Sequence, residues 1–445
     1  MNDIGGPAKR NKPTNAPAQS WVDSERGLVE RDAFLSDDIC KLEFDRIFDR
    51  TWMFLAHETE IPAAGDYVSR MLGSAPVIVV RDANGAVHAL LNSCRHRGTK
   101  LCRGDQGNAA RFVCPYHGWA YEHDGKLITT TFDRHFPKDT DFSTLGLIPV
   151  PRVESYKGLL FGCWDADVIG LEQFLGDFRW YLDLFFGRTP GGMEVLAPPH
   201  RWRVKANWKV GALNFIGDSQ HVLTTHVGPL TLDPLRAAST GFAKVAEESF
   251  QVITDEGHGA TLSYLIAQGL PDWAYHAPAK DHDPLYRKTL APAQHAAIQK
   301  LRVTVGNVFP NLSFIETQAA QGEKSVIMRQ WRPLGGAETE IMSWSLAERE
   351  ATPEYKAHVL PLGFRNFGAA GMFEQDDMEL WTSAAAASQN PIARQYPWGF
   401  QTALKFMHNP ERHPDRPGRI FRPADIEVAQ FEFMRHWDRV MQTNA

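Results

Sequence analysis

Cysteine and histidine are concentrated in one short stretch of this sequence, CRHRGTKLCRGDQGNAARFVCPYHGW at residues 94–119. Cys94 and His96 form a C-x-H pair, and Cys114 and His117 form a C-x-x-H pair. A glycine closely follows each pair and allows a tight turn, so we expect both pairs at the tips of β-hairpins. Two thiolates and two imidazoles suit either a tetrahedral zinc ion or a two-iron cluster with two histidines on one iron. The spacing of these ligands does not decide between zinc and iron.

A second candidate metal site lies in NWKVGALNFIGDSQHVLTTH, residues 207–226. It contains Asp218, His221 and His226 in the pattern D-x-x-H-x-x-x-x-H, which is weak evidence on its own because the chain has 17 histidines. Positions i and i+5 of a regular α-helix point about 140° apart, so two such histidines share one ion only where the helix is widened or broken. The pattern therefore predicts a distorted helix if both histidines are ligands.

The rest of the chain is long enough to position two such sites in separate domains. With 445 residues, of which 43% are hydrophobic, it can bury more than one core. Its 47 Lys and Arg and 53 Asp and Glu are spread along the sequence, so nucleic acid is not an expected partner. No stretch approaches about eighteen uninterrupted apolar residues, which predicts no membrane span. Five cysteines without a signal-peptide pattern indicate a cytoplasmic protein.

Local patterns predict the elements of the first part of the chain. Residues 1–20 are polar and rich in Pro, Asn and Gly, and we expect a disordered leader there. The sequence SDDICKLEFDRIFDR (36–50) has the periodicity of one amphipathic helix that begins with capping residues. Residues 51 to about 170 contain short β-rich runs separated by Asn-Gly and Asp-Gly turn pairs. These short β-rich runs and turn pairs predict a small antiparallel β domain.

Helical and extended patterns alternate after about residue 170. EQFLGDFRWYLDLFF (172–186) and ADIEVAQFEFMRHWDRVMQ (424–442) are predicted to be helices, whereas SVIMRQWRPL (325–334) and TEIMSWSLAER (339–349) are predicted to be strands. Residues 383–424 are rich in Pro, Gly, Gln and Arg and are expected to form an ordered surface loop.

The predicted fold class is α+β. We expect a small antiparallel β domain over 51–170, inserted near the N-terminus of a larger catalytic domain formed by 21–50 and 171–445. Helices of the larger domain should pack on a broad antiparallel sheet.

The two Cys-His pairs carry a specific resemblance. C-R-H-R-G followed by C-P-Y-H-G-W resembles the [2Fe–2S] motif of Rieske proteins. The four ligand positions of that motif are occupied by Cys94, His96, Cys114 and His117. Rieske proteins of respiratory complexes carry an additional cysteine in each loop, and this sequence has Thr99 and Tyr116 there. The resemblance therefore implies a cluster held without a disulfide, and Cys102, which lacks a partner at the matching place, is interpreted as structural.

The Asp-His-His segment resembles the mononuclear-iron motif of the Rieske non-haem iron ring-hydroxylating oxygenases, large subunit, and the resemblance covers nearly the whole chain. It makes His221 and His226 iron ligands. FGAAGMFEQDDMELW (367–381) resembles the stretch that supplies the third ligand of the family, and it places Asp377 on the ligand position, with Asp376 as the fallback. The assignment of this carboxylate depends on the resemblance alone.

The same resemblance implies a separate role for Asp218. In the family this carboxylate bridges a Rieske histidine of one subunit to an iron-ligating histidine of its neighbour, and the matching residues here are His117 and His221. A carboxylate bonded to both imidazoles would fix the two rings and give the electron a short path. The role therefore implies subunits that meet head to tail in a ring.

The resemblance is to the large subunits of naphthalene, phenanthrene and biphenyl dioxygenases. Two histidines and one carboxylate leave the opposite face of iron open to dioxygen and substrate. The implied reaction adds both atoms of O2 to an aromatic ring and gives a cis-dihydrodiol. The sequence has no G-x-G-x-x-G after a predicted strand, so NADH is expected on a separate reductase that acts through a ferredoxin. A small β subunit in an α3β3 assembly is also implied.

The predicted substrate is an uncharged aromatic hydrocarbon, bicyclic or polycyclic. Residues 210–235 contain no Lys or Arg. The side chains on pocket positions are Asn214, Phe215, Val222, Phe367 and Phe373. Burial and ring contacts would hold a hydrocarbon, whereas an aromatic acid would need a cationic anchor. VFPNLSF (308–314) resembles a strand of the catalytic sheet and adds Asn311 and Phe314 as candidates near the pocket.

Three alternatives remain open on the sequence. A hydroxylase or dioxygenase for an aromatic acid such as salicylate would share both metal sites. A Rieske electron carrier would use the cluster without any oxygen chemistry. A zinc-bound structural module would use only the first set of ligands.

Overall fold

The computed structural model describes residues 20–228, 248–264, 279–318 and 324–443. The expected leader at residues 1–20 lies outside these ranges apart from Ser20, and so does the end of the 210–235 stretch. No helix within the described ranges is long and apolar enough to cross a membrane.

The segment that precedes the β domain forms short elements. Strands β1 (Val22–Asp23) and β2 (Leu28–Val29) pair with each other, and helix α1 (Asp37–Glu43) follows. The Ser36 hydroxyl accepts a hydrogen bond from the third residue of α1, as the capping pattern predicts. Beyond Glu43 the chain continues as a π-helical turn (Phe44–Phe48), so the predicted helix over 36–50 is helical but not regular throughout.

The small antiparallel β domain is confirmed. Its strands are β3 (Met53–His57), β4 (Asp66–Leu72), β5 (Ala75–Arg81), β6 (Val87–Leu91), β7 (Gln106–Asn108), β8 (Phe112–Val113), β9 (Ala120–Tyr121), β10 (Leu127–Thr129), β11 (Arg152–Tyr156) and β12 (Leu159–Cys163). They form sheets with the orders β6-β5-β4-β7, β10-β9-β8 and β11-β12-β3. A separate apolar cluster under the loops at one end of this domain includes Cys94, Cys102 and Cys114.

The second domain combines helices with a broad sheet. Its helices are α2 (Leu171–Leu175), α3 (Arg179–Phe186), α4 (Trp208–Gly217), α5 (Ala279–Thr289), α6 (Pro292–Ile298), α7 (Pro353–Phe367), α8 (Met372–Ser388), α9 (Gln401–Leu404) and α10 (Val428–Thr443). Its strands are β13 (Met193–Val195), β14 (His200–Val204), β15 (Phe250–Ile253), β16 (Gly259–Tyr264), β17 (Leu301–Val308), β18 (Leu312–Gln318), β19 (Lys324–Gly335), β20 (Glu338–Glu348), β21 (Trp398–Gly399), β22 (Glu411–His413) and β23 (Arg416–Phe421).

The strands of the broad sheet are antiparallel, in the order β13-β20-β19-β18-β17-β16-β15-β23-β22, and β14 also pairs with β20. The predicted α+β fold class, with a small β domain ahead of helices packed on a broad antiparallel sheet, is confirmed. The predicted strands at 325–334 and 339–349 correspond to β19 and β20. The division of the chain into 51–170 and 21–50 with 171–445 stays a prediction.

Two predicted elements differ from the structure. The helix expected over 172–186 is broken into α2 and α3 at Gly176, whose φ of 47° is incompatible with a right-handed helix. The loop expected over 383–424 instead contains the end of α8, helix α9 and strands β21 to β23. Strand β23 forms because β15, far upstream in the chain, pairs with it, and local composition does not reveal such a partner.

The two faces of the broad sheet pack against different elements. Ser313 and Trp331 lie on the face covered by α4, where the Trp331 indole N–H donates to the Ser313 hydroxyl at 2.8 Å. Phe314 is the next residue after Ser313 and points to the opposite face, where its ring lies 4.5 Å from Phe185 and 5.6 Å from Phe186 of α3. Phe314 is therefore a core residue, and its expected place near the pocket is wrong.

A buried ion pair joins the first segment of the chain to α4 and α10. The ammonium of Lys209 contacts a carboxylate oxygen of Glu43, and both side chains are completely buried. The indole N–H groups of Trp208 and Trp437 donate to the same carboxylate, each at 2.9 Å. The pair therefore fixes the N-terminal end of α4, which leads to the second candidate metal site.

We predict that Lys209→Met destabilises the fold by about 3–5 kcal/mol, because it leaves the Glu43 carboxylate buried without a cation. Chemical denaturation followed by circular dichroism measures the change. Lys41→Met is the matched control, since that side chain is 74% exposed and pairs with Asp38 on the surface. Equal stability of the two variants would contradict the assigned role of the buried pair.

Candidate metal centres

The two Cys-His loops lie at the same end of the β domain but have different connections. The Cys114 loop joins β8 and β9, which pair with each other, so it is a hairpin tip as predicted. The Cys94 loop joins β6 and β7, which are the opposite edges of the four-stranded sheet. The expectation of a hairpin tip is therefore wrong for Cys94, because β5 and β4 separate the strands that its loop connects.

Both loops nevertheless form the same tight turn. In each loop the cysteine N–H donates to the carbonyl five residues later, which is Thr99 at 2.9 Å in the first loop and Trp119 at 2.7 Å in the second. The glycine four residues after each cysteine donates back to the cysteine carbonyl. These glycines, Gly98 and Gly118, have φ angles of 74° and 71°, which a residue with a Cβ rarely adopts. The shared turn presents the side chains of each pair to the same side.

The four potential ligands separate into a sulfur side and a nitrogen side. Cys94 and Cys114 are buried free thiols within hydrogen-bonding reach of each other. His96 is exposed and His117 is half-buried, with ring centroids 4.6 Å apart. The Tyr121 hydroxyl lies 3.3 Å from the Cys94 sulfur. Partial burial, together with the nearby His96 and Arg97, lowers the pKa of His117 and favours the neutral imidazole that binds metals.

This arrangement fits a two-iron cluster better than one zinc ion. Tetrahedral ligands of a single zinc ion stand about 3.3–3.8 Å apart. Among the described residues, the one group of three or more potential ligands whose donor atoms all lie within 4.8 Å of one another is formed elsewhere. The donors of the two loops are therefore spread more widely than a single zinc ion requires. A cluster with two thiolates on one iron and two imidazoles on the other spans such a spread.

That compact group consists of His221, His226 and Asp377. The Nε2 atoms of the two imidazoles are 3.1 Å apart, and Asp377 Oδ1 lies 3.4 Å from each of them. Two donors at right angles, each about 2.1 Å from an ion, stand about 3 Å apart. The triangle of donor atoms therefore fits three adjacent ligands of one metal ion.

The electrostatics of this triangle also favour a cation. Burial lowers the pKa of His221, but the neighbouring carboxylate of Asp218 and the charge of Asp377 outweigh burial, so the pKa of His221 is raised. A raised pKa means that the surroundings stabilise positive charge at the ring. A divalent metal ion at this point would receive the same stabilisation.

The end of helix α4 places the first two members of the triangle. Gly217 closes the helix with a φ of 146°, and a Cβ there would lie 1.9 Å from the Thr261 hydroxyl oxygen of β16. The regular helix therefore ends before either histidine, and a 3-10 turn, His221–Leu223, follows. The distortion that a shared ion would need is present. Asp377 comes from the buried face of α8.

The Nδ1 atom of each histidine, called here its outer nitrogen, points away from the triangle, and each of these atoms is contacted by its own further carboxylate. Asp218 Oδ1 lies 3.5 Å from His221 Nδ1, and Asp376 Oδ2 lies 3.3 Å from His226 Nδ1. Asp376, the fallback ligand, is thus on the side of His226 that faces away from the triangle. The side chains of Asp218 and Asp376 are 38% and 31% exposed, so both reach the surface.

Two predicted pocket residues contact the histidines of the triangle, and a third stacks on one of those two residues. The Asn214 amide nitrogen lies 3.4 Å from His221 Nε2. The Phe373 ring stands edge-on to His226 at 5.1 Å, and Phe367 stacks on Phe373 at 5.5 Å. Asn214 and Phe373 therefore adjoin the triangle, and Phe367 adjoins Phe373. Their role as pocket residues stays a prediction.

Among the described residues, no hydrogen bond or ring contact joins the other predicted pocket residues to the triangle. Val222 directly follows His221 and is half-buried. The Phe215 ring contacts Trp331 at 5.3 Å. Asn311 donates to the Trp331 carbonyl at 2.9 Å and so adjoins this part of the pocket.

Sequence reasoning missed a buried ion pair beside these rings. Arg329 of β19 and Glu374 of α8 are completely buried, with Nη2 and Oε2 2.5 Å apart. The guanidinium carbon lies 4.9 Å from the Phe215 ring centroid and 5.9 Å from that of Phe367. The single charged residue in the apolar run SVIMRQW indicates a buried ion pair, because a buried charge requires a partner. No local pattern indicates which acid that partner is.

No direct contact connects the two candidate centres within the described part of the chain. Within the described ranges no hydrogen bond or ion pair joins Asp218 to His117, and the contacts of Asp218 are with its own helix end and His221. An electron transferred between the centres along this route would have to cross to another copy of the chain.

Comparisons with known protein families match both parts of the chain. The family described as "Rieske [2Fe-2S] domain" matches residues 51–141. The family described as "Ring hydroxylating alpha subunit (catalytic domain)" matches residues 172–443, which is more than half of the chain. The first match removes the zinc-module alternative, and the second removes a carrier without oxygen chemistry.

Individual relatives resemble the chain over nearly its full length. The N,N-dimethyl phenylurea N-demethylase subunit alpha of Sphingobium sp. (strain YBL2) is 32% identical over 434 residues, covering 94% of this chain and 93% of that protein. The biphenyl dioxygenase subunit alpha of Paraburkholderia xenovorans (strain LB400) is 32% identical, covering 94% and 92%. The crystal structure of naphthalene 1,2-dioxygenase from Rhodococcus sp. bound to indole has a TM-score of 0.85 and 32% identity, covering 93% and 94%.

Fold, ligand sets and relatives define an iron-dependent oxygenase. The chain belongs to the ring-hydroxylating alpha-subunit family, with a Rieske [2Fe–2S] domain ahead of the catalytic domain. It is accordingly an oxidoreductase of the aromatic-ring-hydroxylating dioxygenase class, and the cofactors of this class are the Rieske cluster and mononuclear iron, with O2 as co-substrate.

We predict that the two neighbouring acids of α8 differ in their effect on iron content. Asp377→Asn should lower the metal content from about three to about two iron atoms per chain, because one ligand of the triangle becomes neutral. Asp376→Asn is the matched control and should keep about three, since this side chain contacts only the outer nitrogen of His226. Metal analysis of both purified variants measures the difference. The reverse result would assign the ligand to Asp376.

Proposed function

We propose that the chain is the catalytic large subunit of a multicomponent dioxygenase that converts an uncharged bicyclic or polycyclic aromatic hydrocarbon to a cis-dihydrodiol. One ring double bond is consumed, and two carbon–oxygen bonds form with both atoms of O2. Two electrons come from NADH through a reductase and a ferredoxin, and the two protons come from NADH and from solvent. The alternative within this family is an aromatic acid such as salicylate as substrate.

The observation that carries the proposed substrate is the aromatic lining beside the triangle. Phe367 and Phe373 form a stack that ends on His226, which offers ring faces to a flat apolar molecule. Arg329 adjoins the Phe367 ring and is paired with Glu374 at 2.5 Å. A substrate carboxylate would have to displace Glu374 from a completely buried pair. The lining therefore favours a hydrocarbon over an acid.

Each ligand set has a distinct task in this proposal. The Rieske cluster would be held by Cys94, His96, Cys114 and His117. The mononuclear iron would be held by His221, His226 and Asp377, and it supplies activation of dioxygen when bound. Asn214, Phe215 and Val222 of the α4 region and Phe367 and Phe373 hold the ring against the triangle and exclude water. Asp376 keeps the His226 ring oriented through its outer nitrogen.

Asp218 is the proposed link between centres on neighbouring subunits. It lies 3.5 Å from His221 Nδ1 and is partly exposed, so its second oxygen can accept a hydrogen bond from a histidine of another copy. His117 lies at the exposed tip of the β domain and is the matching donor. A head-to-tail ring of chains, in an α3β3 assembly with a small β subunit, would bring the two together.

The electron donor is proposed to be an acidic ferredoxin. Arg95, Arg97 and Lys100 are exposed in the first cluster loop around His96. Basic side chains at this position would steer a protein of opposite charge to the cluster.

A second candidate function is the oxidative removal of an N-methyl group from a phenylurea. The similarity to the N-demethylase subunit alpha, which is 32% identical and covers 94% of this chain, favours this function. Such a substrate also carries an uncharged aromatic ring, so the lining described above accepts both. The products distinguish the two, because demethylation releases one carbon and leaves the ring aromatic.

We predict that naphthalene, phenanthrene and biphenyl give cis-dihydrodiols with the reconstituted system, whereas salicylate and benzoate give no more than trace product. Mass spectrometry of the products, with N,N-dimethyl phenylurea as a further substrate, measures the preference. Efficient turnover of the acids alone would refute the hydrocarbon proposal, and demethylation without any diol would favour the second candidate.

We predict that Asp218→Ala retains both iron centres but loses at least about 99% of product formation, because the bonded path between subunits is removed. Metal analysis, the EPR signal of the reduced cluster and turnover are measured on the same preparation. Asp38→Ala, which removes a carboxylate that is 87% exposed, is the control and should behave as the unmodified protein. Normal turnover of the Asp218 variant, or an active monomer in sedimentation, would rule out the bridge.

A further inference from the structure

Arg329 lies between the pocket rings and the helix that carries the third member of the triangle. It belongs to the central strand β19, where it is paired with Ser313 on one side and Ser343 on the other. Its side chain is completely buried. Burial of a guanidinium costs free energy, which is offset only when its partners are placed with good geometry. We therefore expect the partners of Arg329 to be held in fixed positions relative to one another.

One nitrogen of this side chain contacts two different helices. Nη2 donates to the carbonyl of Phe367, the last residue of α7, at 2.7 Å. The same nitrogen lies 2.5 Å from Glu374 Oε2 in the first turn of α8. Glu374 stands one helical turn before Asp377 and therefore on the same face of α8. A shift of the guanidinium would displace the end of α7 and the carboxylate of the triangle together.

The guanidinium also contacts aromatic rings on both sides of the pocket. Its central carbon lies 4.9 Å from the Phe215 ring, 5.9 Å from the Phe367 ring and 5.6 Å from the Trp331 ring. Trp202 of β14 adds a fourth ring at 5.3 Å. Each cation–π contact in a desolvated site contributes attraction between the cation and the ring face. The planar group thus holds a ring of α4 and a ring of α7 at a set separation.

We propose that Arg329, held by Glu374, is a positioning and specificity-determining residue that sets where the aromatic substrate lies over the metal ligands. The proposal rests on the proposed function, and it concerns the site of attack on the ring rather than the class of substrate. The guanidinium acts through Phe215, Phe367 and the α8 backbone, and it does not itself bind the substrate. It therefore controls which ring edge is oxidised and how tightly O2 consumption is coupled to product.

The decisive variants preserve the fold while changing the geometry. Arg329→Lys keeps the charge but replaces a planar fork by a point charge that cannot contact several rings and Glu374 in the same way. The double variant Arg329→Met with Glu374→Leu removes both charges, so no buried charge is left unpaired. If the single variant fails to fold, the double variant provides the same measurement.

The matched control is Arg70→Lys in the β domain. Arg70 is also buried, lies 2.5 Å from its partner Glu60 and contacts the ring of Trp344 at 5.9 Å. It makes no contact with the pocket rings or with α8 among the contacts described for it. A general loss of stability should appear in both variants, whereas a change in product pattern should appear only when Arg329 is altered.

The experiment uses phenanthrene, whose inequivalent ring edges give distinguishable diols. For Arg329→Lys and for the double variant we expect about three iron atoms per chain, at least a twofold change in the ratio of regioisomers and at least a twofold increase in peroxide formed per O2 consumed. The control should keep the ratio and the coupling of the unmodified enzyme. Unchanged ratio and coupling in both Arg329 variants would overturn the positioning role.

A binding measurement separates this proposal from the proposed function. Naphthalene binding to the iron-free protein is followed by quenching of tryptophan fluorescence, because Trp202 and Trp331 adjoin the guanidinium. We expect at least threefold weaker binding in the double variant and unchanged binding in the control. If the unmodified enzyme yields no diol from any aromatic, the proposed function fails while this comparison still decides the role of Arg329. Equal binding by the unmodified enzyme, the double variant and the Arg70→Lys control, or no binding by any of them, would then refute the positioning role of Arg329.

Discussion

The close approach of α4 to the broad sheet is the constraint on which the catalytic site depends. A side chain at position 217 would collide with Thr261 of β16, so the helix reaches the sheet only because Gly217 has none. The chain that leaves the helix at this point turns Asp218 toward the surface and His221 and His226 toward α8. Two histidines that a regular helix would direct apart thereby converge on one point. A bulkier residue would lift the helix and separate these histidines from the carboxylate of α8.

Charge is distributed around the site so that the metal position favours an added cation. The outer nitrogen of each histidine faces its own carboxylate, and Arg329 is paired with Glu374. Burial raises the pKa of the Glu374 carboxyl, and the Arg329 guanidinium opposes that rise. The rings beside the triangle thus adjoin a paired cation rather than a free one, while the donor triangle remains electronegative. This combination agrees with a metal site that oxidises an apolar molecule.

The sequence predicted the parts of this structure that depend on local pattern or on a specific motif. The β domain, the α+β class and the strands β19 and β20 follow from alternation and turn residues, and the Cys-His loops were visible as a motif. Asp377 could not be paired with His226 by spacing, because packing of α8 against the turn after α4 brings them together. Phe314 was misplaced because a resemblance of strands does not say which face a residue occupies. Arg329 was visible as a lone buried charge, but Glu374 became its partner only in the folded chain.

The exposed surface gives an independent reason to consider more than one copy of the chain. Tyr116 is 58% exposed and lies against the ring of His117 at 3.7 Å, at the tip of the β domain. Val227 directly follows His226 and is 53% exposed, and Leu380 lies one helical turn beyond Asp377 at 51%. These exposed apolar side chains lie beside both centres, on the surfaces that the proposed neighbouring copy would cover. Since no contact within the described chain connects Asp218 to the β-domain tip, a neighbouring copy that covers both surfaces would also supply the missing half of the electron path.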